Sequence, residues 1–501
     1  MSIRRIRARQ VRDGAAGIAS LRDRALQETN GEEEQLAGHI ANYSKALPHD
    51  ALGHVDPAAY AGLRRALSSG LPSDFERIPL GTAGGRRLTN PQAGLAFDLE
   101  GPDAQALAIP PAPRIDSAEN SGEAAELYWM ALLRDVHFSD YETNARVDRA
   151  VRDLNRLTDF RGPQTGSKVT PATLFRGFTE QDAAGPYVSQ FLLRDVPYGT
   201  LLICQRQATV VADRDYLTSF DAWLRVQNGA VPAESPELDG ERRYPRNLRD
   251  LASYVHRDAL YEAYLNACLI LVGMRAPLDP GNPYATSATQ DGCGTFGGPH
   301  VLSLVAEVAT RALKAVWYQK WFVHRRLRPE AFGGLVDNHL SRRATYPIDA
   351  EILNSKALDE VHGRYGSYLL PQAFPEGSPT HPAYGAGHAA VAGACVTILK
   401  AWFDESAPVA GPQVAGAAGR DRVRYAGVDR DSLTVGGELN KLAANIAIAR
   451  SGAGIHWRSD YTESVELGEA VALGILEEQK ATYNEPFYFS LTRFDGTSVR
   501  I

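Results

Sequence analysis

Apolar residues recur at intervals of three and four along most of the chain after about residue 115. This spacing predicts helices with one buried face. In the first of them, Ser121 is suited to cap the N-terminus, with Glu123 and Glu126 in the first turn. The predicted helices are "SGEAAELYWMALLRDV", "DALYEAYLNACLILVGM", the run from His300 to Arg326, "GHAAVAGACVTILKAWF", "TVGGELNKLAANIAIARSG" and "HWRSDYTESVELGEAVALGILEEQKATY".

The two ends of the chain follow other patterns. Residues 1–115 are rich in turn-forming residues, and only short helices fit there, such as one starting at Asp56–Pro57. We expect this region to wrap around a larger body. The tail "FYFSLTRFDGTSVRI" alternates on both sides of Asp495–Gly496, which predicts a β-hairpin. The pattern as a whole predicts an all-α helix-bundle protein with a small C-terminal β-hairpin.

Composition and charge narrow the class of protein. Of the 501 residues, 44% are hydrophobic and 23% are charged, as in soluble globular proteins. The net charge of −7 argues against sequence-independent nucleic-acid binding, which needs a basic face. The four cysteines lie far apart, no apolar signal region follows the start, and no apolar run reaches the roughly 18 residues of a membrane helix. We therefore expect a cytoplasmic protein that binds neither nucleic acid nor membrane.

The first candidate for chemistry is the stretch "KWFVHRRLRP". Lys320 and Arg328 share a face only if the helix ends between them, and Pro329 provides a reason because it moves Arg328 out of the helical region. Both cations can then converge at a helix end. The adjacent Arg325 and Arg326 are expected on a solvated or interface face, the usual place for a run of charges.

The second candidate is the stretch "SPTHPAYGAGHAAV". Gly385 and Gly387 permit a tight turn, and a helix that starts near His388 offers free N–H groups and the positive end of its dipole. Such an end binds oxyanions. Without a second observation, a glycine-rich connection with His388 as a polar cap explains the stretch equally well.

The third candidate is "ARSGAGIHWRSD". Arg450 ends one helix and His456 opens the next. Because His456 and Asp460 are four residues apart, we expect them to meet on one helical face, where the carboxylate would fix the tautomer of the imidazole. A surface ion pair is the alternative.

Taken together, the three stretches supply cations, a helix N-terminus and histidines. A zinc site would use His with Cys or carboxylates, and the chain lacks the GxSxG, P-loop and HExxH patterns. The groups share an affinity for a tetrahedral or five-coordinate oxyanion.

The combination K–x7–RP, GH at a helix start and R–x5–H–x3–D resembles the superfamily of vanadium-dependent haloperoxidases and type-2 phosphatidic acid phosphatases. Over nearly the whole chain, the sequence looks like the red-algal and cyanobacterial vanadium bromoperoxidases. The matching stretches are "TNGEEE", "ALPHDALGHVD", "ELYWMALLRDVHFSDY", "TFGGPH", "THPAYGAGHA", "GIHWRSD" and "FDGT".

The resemblance implies a vanadate cofactor, with phosphate able to occupy the same site, and a reaction of hydrogen peroxide with a halide and a small organic substrate. His456 would be the nitrogen ligand to vanadium, and Asp460 would orient it. His388 would be the acid–base group, and His381 stands where the family has a histidine in bromoperoxidases. The groups implied to bind the vanadate oxygens are Lys320, Arg328, Arg450 and the amide of Gly387, and Lys320 would also act on bound peroxide.

One position departs from the family pattern. Many relatives have Ser before the Gly-His pair, whereas this chain has Ala386. The backbone N–H groups remain, so we expect anion binding to survive. A lost charge-assisted hydrogen bond is worth roughly 1.5–3 kcal/mol, so anion affinity and halide preference are expected to differ.

The resemblance also implies an architecture of two four-helix bundles with peripheral short helices and strands. It implies a homo-oligomer of dimers that build a dodecamer, and by analogy a structural calcium ion, although no EF-hand-like loop is present. We expect a turn-rich extension over residues 1–115, a first bundle over 116–285, a catalytic bundle over 286–485 and the hairpin over 486–501.

Two other functions are compatible with the same groups. A soluble acid phosphatase would use His456 as the nucleophile and His388 as the general acid. A non-enzymatic oxyanion-binding or assembly protein would keep the site without turnover. The intact set of cations and histidines disfavours the second, because unpaired buried charges are costly to retain without a function.

Overall fold

The computed structural model describes residues 3–501, and these residues form a mainly helical protein. Short 3₁₀ segments and one π-helical segment, Gln319–His324, connect some of the α-helices. Within residues 3–501 the α-helices are α1 (Ile3–Leu21), α2 (Glu32–Gln35), α3 (Pro57–Ser69), α4 (Pro72–Phe75), α5 (Ala118–Leu132), α6 (Ala145–Leu154), α7 (Phe220–Gln227), α8 (Leu248–Tyr254), α9 (Glu262–Gly273), α10 (Gly298–Tyr318), α11 (Pro329–Leu340), α12 (Ala350–Leu353), α13 (Lys356–Tyr365), α14 (Gly387–Trp402), α15 (Val435–Gly452) and α16 (Arg458–Lys480).

The strands form four two-stranded antiparallel sheets on the periphery. They are β1 (Val196–Tyr198) with β2 (Leu201–Ile203), β3 (Gln207–Val210) with β4 (Leu238–Arg243), β5 (Gln413–Ala415) with β6 (Arg422–Arg424), and β7 (Ser490–Thr492) with β8 (Ser498–Arg500). The pairing of β7 with β8 confirms the predicted C-terminal hairpin, which turns at Gly496 with a φ of 84°. The all-α class is likewise confirmed.

Helix α14 lies at the centre and packs against α10, α15 and α16. It approaches α16 at backbone distance, since a Cβ added to Gly393 would lie 1.9 Å from the carbonyl oxygen of Val465. A Cβ added to Gly468 would lie 1.9 Å from that of Ala390. Small residues at these contacts bring the N-termini of α14 and α16 to the same place, and the candidate site lies there.

Helix α10 ends where the first candidate stretch needs it to end. Its apolar face is buried from Val301 to Val316, and the chain continues through the π-helical segment to Arg325, which has a φ of 42°. Arg328 then adopts an extended conformation as the N-cap of α11, with Pro329 at the first helical position. The helix predicted to run to Arg326 thus stops earlier, and Lys320 and Arg328 are free to converge.

Two local predictions for helix starts differ from the structure. Helix α5 begins one turn earlier than expected, because the hydroxyl of Ser117 caps it by accepting from the N–H of Asn120 at 3.1 Å. Ser121 is therefore inside the helix and donates to Asp349 at 2.9 Å. The N-terminal extension contains a 19-residue helix, α1, where only short helices were expected, and none of its side chains is buried.

Other predictions for the N-terminal extension hold. Helix α3 starts as expected after Asp56, whose side chain accepts from the N–H of Ala59. A small core that includes Tyr43 and Tyr60 packs around Trp321, so the extension does wrap the bundle. The main core runs from Ala41 to Phe494 and includes both predicted bundles and Cys395. The division of the chain at residues 115, 285 and 485 stays a prediction.

Three further findings concern the general class. No helix within residues 3–501 is long and apolar enough to cross a membrane. All four cysteines are free, with Cys268 and Cys395 buried and Cys204 and Cys293 exposed. The cytoplasmic location stays a prediction. Among the same residues, no cluster of three or more His, Cys, Asp or Glu side chains is arranged to hold a metal ion, so the structural calcium has no support.

Candidate active site

The side chains predicted to form the site converge in one buried cage. The cage is defined here by the groups contributed by α10 and its π-helical end, by the N-terminus of α14, by the end of α15 and by the segment before α16. Its side chains are 8% exposed or less except for that of His388, which is 14% exposed. The members are Lys320, Arg328, His381, Gly387, His388, Arg450 and His456.

His456 is held on both of its ring nitrogens. Nδ1 lies 2.7 Å from Oδ2 of Asp460, and Nε2 lies 2.9 Å from Nη1 of Arg328. Because a guanidinium only donates, Nε2 must accept, so Nδ1 carries the hydrogen and donates to Asp460. Asp460 also accepts from the N–H of Trp457 at 2.9 Å.

The position of this pair corrects one detail of the prediction. His456 precedes the N-cap residue Trp457, and Asp460 lies in the first turn of α16. The two therefore meet around a helix N-terminus and not on one helical face. The consequence is the expected one: the tautomer is fixed with the basic Nε2 facing the cage.

Arg328 and Lys320 are oriented by backbone carbonyl groups. Arg328 donates to the carbonyl oxygens of His381 at 2.9 Å and Ile455 at 2.8 Å, and to Nδ1 of His381 at 2.8 Å. Lys320 donates to the carbonyl oxygens of Pro382 at 2.8 Å and Ala383 at 3.1 Å. Neither cation forms an ion pair with a carboxylate among residues 3–501.

Arg450 and His388 lie on the side of the cage nearest the segment between α8 and α9. Arg450 donates from Nη1 to the carbonyl oxygen of Val255 at 2.7 Å, while its buried Nε has no partner within residues 3–501. Nε2 of His388 lies 3.1 Å from Oδ1 of Asp258. This contact leaves Nδ1 as the basic nitrogen of a neutral His388.

The N-terminus of α14 is open toward a ligand. Its N-cap residue, Ala386, provides no side-chain cap, and its own N–H donates to Oγ of Ser464 at 2.8 Å. A Cβ on Gly385 would lie 2.2 Å from the same Oγ, so only glycine fits there. The N–H groups of the first turn, including that of Gly387, supply the positive end of the helix dipole.

Burial changes the proton affinity of every cage group. Loss of water lowers the pKa of Arg328 and of Arg450 to about 10, and the pKa of Lys320 falls well below its usual value for the same reason and because Arg328 is near. Burial and the neighbouring cations also hold the pKa of His456 and of His381 well below 6.5. A bound anion would offset this repulsion.

Asp460 is the carboxylate behind the cage, and its environment is mixed. Burial raises the pKa of Asp460 to about 6, and the guanidinium of Arg326 opposes that rise. The cage thus gathers buried cations, an unpaired guanidinium N–H and an open helix N-terminus. These residues fit a tetrahedral or five-coordinate oxyanion such as vanadate or phosphate.

The sequence reasoning missed Asp258, which no local pattern marks. It lies 130 residues before His388, and only the fold brings the two together. Arg326 was placed wrongly on a solvated face. It is 3% exposed, donates to Glu123 at 2.8 Å and to Asp460 at 3.3 Å, and stacks on Trp457.

The remaining predictions near the site concern residues that pack. Trp321 is fully buried in the small core, as expected, and Arg325 pairs with Glu33 in place of facing solvent. The ring of His381 lies 4.9 Å from that of Trp317. Because Nδ1 of His381 accepts from Arg328, its Nε2 carries the hydrogen and can donate.

The fold and the cage define an oxyanion-binding helical-bundle protein, and comparisons with known proteins identify its family. Residues 301–485 match the family model "VCPO second helical-bundle domain". The chain is 42% identical to a vanadium-dependent bromoperoxidase of Corallina officinalis, covering 92% of this chain and 91% of that protein. It is 35% identical to one of Ascophyllum nodosum, covering 95% and 88%.

A solved structure agrees with these matches. The second vanadate-dependent bromoperoxidase of Ascophyllum nodosum, described as homohexameric, superposes with a TM-score of 0.95 at 32% identity, covering 99% of this chain and 90% of that one. The chain therefore belongs to the vanadium-dependent bromoperoxidase family. The resemblance inferred from the sequence motifs is confirmed.

Proposed function

We propose that the protein is a vanadate-dependent haloperoxidase that uses hydrogen peroxide to oxidise a halide, with bromide preferred, to hypohalous acid. The hypohalous acid then halogenates organic compounds. The observation that carries the proposal is the convergence of Lys320, Arg328, Arg450 and His456 on the open N-terminus of α14. The relatives named as vanadium-dependent bromoperoxidases support the same reading.

The cage would hold vanadate by charge and by one nitrogen ligand. Nε2 of His456 is the basic nitrogen that faces the cage, and Arg328, Arg450 and the amide of Gly387 would bind the oxygens. When bound, vanadate supplies Lewis-acid activation of peroxide without a change of oxidation state. Phosphate fits the same groups and would compete.

Proton handling falls to His388. Converting peroxide and halide to hypohalous acid and water consumes one proton, and peroxide must also lose a proton when it binds. A neutral His388, with Nε2–H directed at Asp258, presents a basic Nδ1 for the first transfer. Burial and Arg450 lower the pKa of His388, so the neutral form prevails near pH 7.

Lys320 and His381 would act on the oxidant and the halide. Lys320 has no carboxylate partner within residues 3–501, so its ammonium is available to donate to a peroxide oxygen and withdraw electron density from it. His381 carries its hydrogen on Nε2 and can donate to a halide or to bound peroxide. These roles, like the preference for bromide, follow the family pattern and await measurement.

The acid phosphatase alternative is not favoured, because the similar proteins of known name are bromoperoxidases over more than 90% of this chain. The non-enzymatic alternative fails on the same comparison and on the intact cage. We propose further that the chain forms a homo-oligomer, as the homohexameric relative does. Assembly from dimers and a dodecamer remain the specific forms expected, and light scattering after size-exclusion chromatography would count the subunits.

The test is peroxide-dependent bromination of a phenolic dye by protein stripped of bound anion. We expect activity to appear when orthovanadate is added and to fall when excess phosphate competes. Hydrolysis of a phosphomonoester, blocked by vanadate, in a protein that brominates nothing would establish the phosphatase alternative. Lys314, whose ammonium pairs with Asp98 outside the cage, offers a control: Lys314→Met should keep the vanadate dependence that Lys320→Met loses.

A further inference from the structure

A groove of about 440 Å³ lies beside the cage. One wall is formed by strands β3 and β4, and the other by residues 253–258 between α8 and α9. Glu262 and Asn266 of α9 close its end. None of the cage residues lines it, so the groove is a separate feature.

The groove and the cage share a wall that is one segment thick. Asp258 lines the groove, and its carboxylate contacts Nε2 of His388 at 3.1 Å. In the same segment, the carbonyl oxygen of Val255 accepts from Arg450 at 2.7 Å. A molecule in the groove would therefore lie next to the most exposed member of the cage, His388.

The charge of the groove favours an anion. Arg206, Arg242 and Arg257 line it, and none of them has a carboxylate partner within residues 3–501. The neighbouring Arg243, by contrast, pairs with Asp239. Of the two carboxylates in the groove, Asp258 is bonded to His388, and burial raises the pKa of Glu262. Three free guanidinium groups in one groove stand out in a protein with a net charge of −7.

The rest of the lining suits a flat organic ring. Tyr254 contributes an aromatic side chain whose buried hydroxyl has no hydrogen-bond partner among residues 3–501. Mixed apolar walls with a few polar groups are typical of small-molecule sites. The apolar lining residues are Ile203, Ala208, Val210, Pro236 and Leu238.

We propose that this groove binds the organic substrate, an electron-rich aromatic compound that carries a carboxylate. The arginines would hold the carboxylate while the ring packs on Tyr254. Hypohalous acid released beside His388 would transfer its halogen to a ring carbon. That carbon loses its proton to the departing hydroxide, so ArH and HOX give ArX and water. This inference rests on the proposed function and adds a substrate class and a site to it.

The test uses two substrates of equal ring reactivity in one reaction. 3-(4-Hydroxyphenyl)propionate and its amide differ only in a charge two methylene groups from the ring, so hypobromite as a reagent brominates them at nearly equal rates. With vanadate-loaded enzyme, we expect the acid to be brominated at least fivefold faster than the amide. The ratio of products in one mixture does not depend on the total rate.

The matched variants separate the groove from general electrostatics. In the triple variant Arg206→Gln, Arg242→Gln and Arg257→Gln, the ratio should fall to that of the reagent. The control variant Arg149→Gln, Arg161→Gln and Arg214→Gln removes the same charge from surface ion pairs and should keep the ratio. An enzyme ratio equal to that of the reagent, or a preference that persists in the groove variant, would overturn the proposal.

A chemical block provides a second, independent measurement. Cys204 lines the groove and is exposed, and in a Cys293→Ser background it is the single exposed cysteine of the described residues. A bulky maleimide on Cys204 should abolish the preference for the acid, and an unchanged preference would contradict the proposal. Bromide-dependent peroxide consumption without organic substrate is measured in parallel, and its absence in unmodified protein would mean that the proposed function itself fails.

Discussion

The two histidine–carboxylate pairs of the cage are built from the same groups and held in different ways. His456 and Asp460 are 2% and 0% exposed, and Asp460 receives further contacts from Arg326 and Trp457. His388 is 14% exposed, and its partner Asp258 comes from an interhelical segment that also lines the groove. The ring nitrogens are used in opposite senses: Asp460 binds Nδ1 of its histidine, whereas Asp258 binds Nε2.

This difference separates a ligand from a proton carrier. A histidine that binds a metal centre needs one fixed tautomer and orientation, and a buried, multiply bonded carboxylate provides both. A histidine that exchanges protons needs contact with solvent and a partner that tolerates its charged form. The predictions below test whether the two pairs divide the work in this way.

The largest effect is expected from His456→Ala. Outer partners of a metal-binding histidine are already worth about 10- to 100-fold in affinity, so removing the histidine itself should weaken vanadate binding by at least about 100-fold. Bromination should fall in proportion at limiting vanadate. Titration calorimetry with orthovanadate measures the first and the dye assay the second. Unchanged vanadate affinity in a variant that unfolds like the parent would remove His456 from the site.

His388→Ala should separate turnover from binding. Loss of a positioned acid–base group typically costs 10²- to 10⁴-fold in rate, and we expect kcat to fall within about that range. Vanadate affinity should change by less than about tenfold, because the nitrogen ligand and the cations remain. The same calorimetry and assay apply. A loss of affinity as large as that in His456→Ala would show that the two histidines share one role.

Asp258→Asn should move the pH profile. Asp258 raises the pKa of His388, against the stronger lowering by burial. Without the carboxylate, that pKa falls further, so His388 stays neutral to lower pH and the acid limb of kcat/KM for peroxide shifts to lower pH. A profile from pH 4 to 8 would show the shift. Glu262→Gln, which changes another carboxylate of the groove without contacting His388, is the control, and a shift toward higher pH in Asp258→Asn would contradict the model.

The same comparison shows what the sequence could and could not predict. His456 and Asp460 are close in sequence and their contact follows from local spacing, so the prediction needed only a helix start. The convergence of Lys320 with Arg328 followed from Pro329, because proline stops a helix at a known place. The class of fold followed from helical periodicity and the hairpin from Asp495–Gly496.

Contacts between distant segments carry no such local signal. Asp258 meets His388 only because α9 and α14 pack together, and the sequence between them does not specify this. Arg326 belongs to a basic run that would normally face water. It is buried because Glu123 and Asp460, from two other helices, neutralise it. The length of α1 was missed because its buried face is absent, and apolar periodicity was the signal used.

The smallest effect is expected from Ala386→Ser, which restores the residue common among relatives. Ala386 is the N-cap of α14 and lacks a side-chain oxygen for the first-turn N–H groups. A serine there should stabilise the protein by about 1 kcal/mol through helix capping. When an oxyanion is bound, the hydroxyl can instead donate to it, and the affinity for vanadate should rise by about tenfold, since a charge-assisted hydrogen bond is worth roughly 1.5–3 kcal/mol before the lost cap is subtracted. Thermal unfolding and vanadate titration, each with Ala389→Ser as a control in the same helical turn, measure the two effects. If the stability rises while the affinity does not, the hydroxyl serves only the helix, and the open N-terminus of α14 acts through its backbone alone.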